Sequence, residues 1–504
     1  MEKKKKISVI ILSILGFLIL VFIALSFYFS NRIKNSIDEA IGKDSSYKEA
    51  DVDLLQRQIT IDSLDFNGNG KQMAAKKISL KGIGLIKYIF DDKLVINRLV
   101  IEGPDIIFSE KKNDSSSGGT KGFSRNITVK NVEFHNGNFR LKKKDTTGND
   151  IFISFPTLTL SAVHVDSATV KNRMPFQYET YSFYSDSLRI NINPQHYVAA
   201  EEVRMENGKT EIKDFKILPY YEKAEFDQVI PYEKDRISLR VKNIQLDSLQ
   251  IEYKKDQFYL RNPMLTVTGG DLEVYRNKLL PDDPRKRPLY SSLLRNAPVK
   301  LDFKKVRVRN SKIQYQEKVK EGIPPAEVIF SDIDADITSL TNINLDRKDF
   351  PETKVHVNAT FQKVSPLEVD WTFNVTNPND KFLFKGKFGA VPGDALNPLL
   401  RPSMNMEAKG TIKDAWFTFT GNDEVLTGDV RLNYDQFKFI WLKKGSNEKR
   451  GFFTAIANLF VDNDGISGDH KSREVRVERD PHRSFWAYVW NGLQNGMKNT
   501  FSQL

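Results

Sequence analysis

The sequence predicts a mainly β protein: an elongated, curved, mostly antiparallel sheet with one apolar side, an N-terminal transmembrane helix and a C-terminal amphipathic helix. Three observations carry that prediction. They are an apolar rhythm that recurs along the chain, a charge-free stretch near its start, and a stripe of helical spacing at its end.

The rhythm is clearest from Asn126 to Lys142, where apolar residues fall at Ile127, Val129, Val132, Phe134, Phe139 and Leu141, with Asn136-Gly137 before the last couple. It recurs at Leu94, Ile96, Leu99, Ile101, Ile106 and Phe108, with Gly103-Pro104 in the corresponding place. Two further copies run Leu239, Val241, Ile244, Leu246, Ile251, Tyr253 and Leu301, Phe303, Val306, Val308, Ile313, Tyr315. A weaker copy is Val198, Ala200, Val203, Met205, Thr210, Ile212 around Asn207-Gly208, and a truncated one starts Ile59, Ile61, Leu64, Phe66. A repeat of this kind governs the fold assignment. Spacing of two keeps side chains on one face of a strand. The step of three would flip that face unless a bulge intervenes. Asn-Gly pairs suit a tight hairpin, since both residues tolerate positive φ. Each copy therefore reads as strand, bulge, strand, turn, strand, and stacked copies make a one-sided sheet. Such a sheet must cover its apolar face. A second sheet, helices or a ligand with long apolar chains would each serve.

The stretch Ile7 to Ser30 contains no charged residue and, as a helix, is about 36 Å long, enough to cross a bilayer core. It ends in bulky Phe27, Tyr28 and Phe29 rather than in the small-residue site of a cleaved signal peptide. Ile7, Leu15 and Phe22 belong to the membrane-crossing stretch, and Tyr28 suits its interface. Lys3 to Lys6 precede it, against Arg32 and Lys34 after it, which puts the N-terminus in the cytoplasm. Ile33, Ile37 and Ile41 continue the helical spacing through residues 31 to 50.

At 504 residues the chain exceeds one compact core, and 40% apolar with 11% aromatic residues excludes wholesale disorder. There is no cysteine, hence no disulfide, thiolate metal site or cysteine nucleophile. The net charge of +11 comes from 76 basic against 65 acidic residues that interleave along the strands, which argues against nucleic-acid binding. The histidines (His135, His164, His196, His356, His470, His482) are scattered without ligand spacing, and no phosphate loop, GxSxG elbow or HExxH occurs. No catalytic residue, cofactor or metal site is expected, and the protein is not expected to be an enzyme.

Along the chain, Gly84 to Phe90 reads as a short helical crossing and Asp114 to Gly119 as a flexible linker, either a domain border or a loop between strands. Pro281 to Pro288 is a proline-bounded loop whose three cations read as solvated, or as meeting anionic head groups. Leu289, Leu293 and Leu294 suggest one helical turn. Asp332, Asp334 and Asp336 share one strand face, read as solvated rather than metal-binding, and Asp462 to Asp469 as a polar turn rather than a calcium loop. Strands are expected at 152–160, 188–192, 355–361, 369–375, 381–388, 415–419 and 429–441. From Arg483 to Leu504, the residues Trp486, Val489, Trp490, Leu493, Met497, Phe501 and Leu504 form an apolar helical stripe. That helix either lies on a membrane, helped by Arg479, His482 and Arg483, or caps the sheet; capping is the favoured reading.

The run KKISLKGIGLIKYIFDDKLVINRLVIEGPDIIF, Lys76 to Phe108, resembles the N-terminal signature of the AsmA-like envelope proteins, with the preceding membrane helix also in place. The stretch Met404 to Gly410 followed by Gly428 to Leu432 is similar to their C-terminal portions. The resemblance implies a taco-like β-groove related to bridge-like lipid transfer proteins, which carry phospholipid between inner and outer membranes or maintain outer-membrane lipid balance. Residues 1–6 would then be a cytoplasmic tail, 7–30 the inner-membrane anchor, 31–445 a periplasmic repeated β-groove, and 446–504 a loop and amphipathic capping helix. Lining candidates are Leu99, Ile101, Val132, Phe134, Val203, Met205, Ile244, Leu246, Val306 and Val308. Phospholipid would be the ligand. Because so short a groove falls short of an envelope's width, either an outer-membrane or periplasmic protein partner or a shuttle mode is expected. The alternative is a structural or assembly factor for outer-membrane components, its apolar face filled by its own strands.

Overall fold

The computed structural model describes residues 45–53, 56–68, 71–84, 93–109, 126–142, 150–169, 176–254, 257–442 and 471–501. The cytoplasmic tail, the anchor with Ile7, Leu15, Phe22 and Tyr28, residues 85–90 of the crossing, the linker at 114–119 and the turn at 462–469 lie outside these. No helix among the described residues is long and apolar enough to cross a membrane. Of the described residues 66% are in strands and 11% in helices, so the protein is mainly β. The chain divides into two compact units, Met1–Phe215 and Lys216–Leu504.

In the first unit β1 (Ser45–Ser46) and β2 (Glu49–Asp53) pair with β3 (Gln58–Gly68). The helical spacing expected through residue 50 therefore gives way to strand by Ser45, because the backbone there pairs with Asp62 to Phe66. There follow β4 (Lys71–Ile83), β5 (Lys93–Glu102), β6 (Asp105–Ser109), β7 (Asn126–Lys142), β8 (Ile151–Val165), β9 (Thr180–Ser185), β10 (Ser187–Asn193), β11 (His196–Ala200), β12 (Glu202–Glu206) and β13 (Lys209–Pro219), within which the division falls. Neighbours are antiparallel except that β5 and β6 both run parallel to β7.

That parallel pairing is what the rhythm encodes. Leu94, Ile96, Leu99, Ile101, Ile106 and Phe108 lie directly opposite Ile127, Val129, Val132, Phe134, Phe139 and Leu141. Two copies of one spacing thus become one in-register ladder, buried throughout. At the step of three the pairing is interrupted on both strands, but without the register shift that a bulge gives. Lys130 and Ala162 drop out of the β7–β8 register together, Ala162 at φ 48°, and Gly82 does so opposite Asn97 on the β4–β5 side. The turn expectation holds only in part. Asn207-Gly208 is a two-residue reversal with both φ positive, joining β12 to β13 through Glu206 opposite Lys209. Asn136-Gly137 is no hairpin. β7 runs straight through it, with Asn136 at φ 54°, because the parallel partner β6 continues in the same direction.

The second unit contains α1 (Lys223–Val229), β14 (Arg236–Asp247), β15 (Gln250–Lys254), β16 (Gln257–Asn277), α2 (Tyr290–Arg295), β17 (Lys300–Lys318), β18 (Ala326–Thr341), β19 (Thr353–Phe361), β20 (Ser365–Phe373), β21 (Phe382–Phe388), β22 (Val391–Pro392), α3 (Gly393–Met404), β23 (Met406–Gly421), β24 (Val425–Trp441), β25 (Lys471–Glu478) and α4 (Phe485–Phe501). Strands β14 to β25 pair with their neighbours in chain order, except that β14 and β15 both lie along β16 and β21 and β22 both lie along β23. Only β16 and β17 are parallel, joined by a crossover that contains α2. The strands and the helical turn expected here are present, with wider bounds for β23 and β24.

Candidate functional site

Strand pairing in the second unit assembles apolar residues into ladders that run across the sheet. One ladder is Leu246, Leu265, Val306, Ile337, Val355, Trp371, Phe384, Phe419 on β14, β16, β17, β18, β19, β20, β21 and β23. The next is Ile244, Val267, Val308, Ala335, Val357, Val369, Gly386, Phe417. Directly opposed residues share a face, so the ladders form one continuous apolar surface. The ladder between them on the other face is polar: Gln245, Thr266, Arg307, Asp336, His356, Asp370, Lys385. There Asp336 accepts a 2.9 Å bond from Arg309. Burial pushes its pKa up, but Arg309 and Lys305 outweigh that and hold the carboxyl below its ordinary range.

At its β18–β25 end the apolar surface is covered by helices. Helix α4 lays Phe485, Tyr488 and Val489 into a core with Trp371, Phe382, Phe384, Phe417, Phe419 and Leu426. Phe485 stacks on Trp371 at 4.7 Å and 20°. Gly492 and Gly496 let the helix approach closely, since a side chain there would meet Leu426 and Val430. Helix α3 covers β23 and β18, with Asn397 bonded to the backbone of Ala408. Leu289 and Leu294, flanking and within α2, join the same core.

Charged groups pin α4 in place. Arg479 has a fully buried side chain and donates to Asp423 at 2.8 Å and to the Arg287 carbonyl, while the Arg287 amide donates to the Pro481 carbonyl. Arg483 pairs with the buried Glu233 at 3.1 Å, and Glu233 also holds Lys278. These cations are committed to internal carboxylates, and the apolar stripe of α4 is committed to the core. Helix α4 thus packs against the sheet. Trp486 is the exception: it faces outward beside Tyr290, to which its indole N–H donates at 3.0 Å. Trp490, Leu493 and Met497 are half-buried along the helix, which Phe501 ends.

Over β14 to β17 the same ladders have no helix of this kind above them. Ile244, Leu246, Leu265, Val267, Leu272, Leu301, Phe303, Val308 and Ile313 are all half-buried, and Ile251 is 55% exposed. None of them belongs to the core under α3 and α4. The ten lining candidates thus divide. Leu99, Ile101, Val132 and Phe134 are filled core of the first unit, with Val132 and Ile101 wholly inaccessible. Val203 is buried and Met205 half-buried near the Asn207-Gly208 reversal. Val306 is buried, whereas Ile244, Leu246 and Val308 lie on the uncovered face.

β16 supplies the middle of that face and carries a further copy of the rhythm: Leu260, Asn262, Leu265, Val267, Leu272, Val274, in register with Leu301 to Tyr315 on β17. The spacing was there to find, but Asn262 breaks its apolar signature. Asn262 is buried and donates to the Asp247 carbonyl at 2.6 Å, where β14 breaks before β15.

No protein-family model matches this chain, and no curated protein matches it.

Proposed function

We propose that the uncovered apolar face of β14 to β17 shelters the acyl chains of phospholipid, in a protein anchored in the inner membrane by residues 7–30 and otherwise periplasmic. On this reading the sheet is an elongated β-groove, and its role is non-catalytic: supporting lipid movement between membranes and outer-membrane homeostasis. The observation that supports it is the contrast within one unit. Continuous apolar ladders are packed under α3 and α4 at one end and left half-exposed at the other. A contiguous apolar surface without an internal cover marks a binding surface. At about 25 cal/mol per Å² of apolar area withdrawn from water, a pair of acyl chains laid along it would offset much of the cost of leaving a bilayer. The absence of polar groups in the ladders leaves nothing to fix a chain in one register, so lipids could slide. The resemblance to AsmA-like proteins points the same way.

Photo-crosslinking from p-benzoylphenylalanine placed at Ile244 or Val308 in the full chain, in its membrane, tests this. Phospholipid adducts are expected at both, and none from Gln245, exposed on the opposite face. Equal or absent labelling at the three positions would refute the groove. The filled face of the first unit favours a second reading, a structural or assembly factor, which requires no lipid adduct at any position.

A further inference from the structure

We propose that His356, Glu368 and Asp370 form a binding site for a divalent transition-metal ion of the zinc type. The histidine and the carboxylates have no ligand spacing in sequence and are brought together by strand pairing. The β19–β20 hairpin puts His356 opposite Asp370 and Asn358 opposite Glu368, a rectangle of four polar side chains on the polar face. Ligand atoms of His356, Glu368 and Asp370 all lie within 4.8 Å of one another. His356 Nδ1 is 2.9 Å from Asp370 Oδ1, and the Asn358 amide nitrogen is 3.1 Å from Nε2.

Two features separate this from an ordinary acidic surface. The four residues stand on inner strands, flanked by β18 and β21, so their Cα positions are fixed and only exposed side chains need rotate to close on an ion. The carboxylates are also unclaimed by cations. Their neighbours across β21, Lys387 opposite Glu368 and Lys385 opposite Asp370, form no ion pair with them among the described residues. One imidazole with two carboxylates is a donor set for a borderline ion, with water or the Asn358 carbonyl oxygen completing four-coordination. It falls well short of the six to eight oxygens that calcium takes. The two lysines oppose a cation and weaken its binding.

The test uses the full chain in detergent, without a polyhistidine tag and stripped with EDTA. Zn²⁺ is titrated by calorimetry, and Co²⁺ binding is followed by its visible absorption. One Zn²⁺ per chain is expected, unaffected by excess Ca²⁺ and weakened at least ~10-fold by His356→Ala, Asp370→Asn and Glu368→Gln separately. His135→Ala and His482→Ala, at other surface histidine–carboxylate pairs, should leave it unchanged. Thermal melting of each metal-free variant reports the fold, and Glu368→Gln, with no side-chain partner to lose, serves if His356→Ala lowers it. Absence of Zn²⁺ binding, or binding that survives all three substitutions or is lost with the control histidines, overturns the proposal.

Discussion

Phe485, the first residue of α4, stacks on Trp371 of β20, with ring centroids 4.7 Å apart and planes 20° from parallel. The contact joins the start of α4 to the ladder that runs on through Val355 and Ile337 to Val306 and Leu265. Phe485 also meets Phe382, Phe384 and Tyr290 edge-on, so it is the keystone of the covered end. Phe485→Ala should cost about 3–5 kcal/mol. The loss should appear first as faster hydrogen exchange in α4, with β14 to β17 retaining protection.

Substitution with a charge should separate the two kinds of apolar position. Val132→Asp places a carboxylate in a core with no accessible surface and should destabilise the first unit by several kcal/mol, read as a lost or lowered unfolding transition. Val308→Asp acts on a half-exposed position and should change the melting transition by no more than about 1 kcal/mol, while abolishing lipid adducts from p-benzoylphenylalanine at Ile244.

Val308 and Phe134 occupy equivalent places in the rhythm, one half-buried and the other fully buried, which shows where sequence reading ends. Strand existence, the alternation of faces and an irregularity at the step of three were legible, because backbone and side-chain spacing fix them locally. Coverage was not. Whether a ladder is packed depends on α3 and α4, which arrive from far along the chain. Helix α3 itself carries Pro398 and Pro402, residues that argue against a helix interior. It persists because Leu400 and Asn397 are buried against β23. The reading of Asn136-Gly137 failed for a related reason: the same positive φ serves a hairpin or a bulge, and the parallel neighbour decides between them.

Gly410 should be among the least replaceable residues of β23. Its φ is 77°, and a Cβ would stand 2.1 Å from the Gln436 carbonyl oxygen, a backbone atom of β24 that cannot rotate away. Gly410→Ala is therefore expected to cost more than about 2 kcal/mol, combining left-handed strain with overpacking. Gly322 has nearly the same φ, 74°, with nothing near its Cβ position, so Gly322→Ala isolates the strain alone at about 1 kcal/mol. Chemical denaturation of the two variants should rank them in that order.

Acid should loosen the clamp on α4 through Asp283. Its side chain is buried, and the Arg285 guanidinium, at 2.8 and 2.9 Å, lowers its pKa from the ordinary 3.8 to about 2, against the upward push of burial. Because the folded value lies below the unfolded one, the unfolded chain takes up the proton first as pH falls. The stabilisation is therefore fully present above about pH 4 and is lost between there and pH 2. Asp283→Asn, which leaves Arg285 and Arg287 without their carboxylate, should destabilise the second unit by about 1–2 kcal/mol at pH 7. The difference in melting temperature between wild type and variant should stay constant from pH 8 to 5 and shrink toward zero as pH approaches 2. A gap that persists undiminished at pH 2 would show that Asp283 acts through packing rather than through its charge.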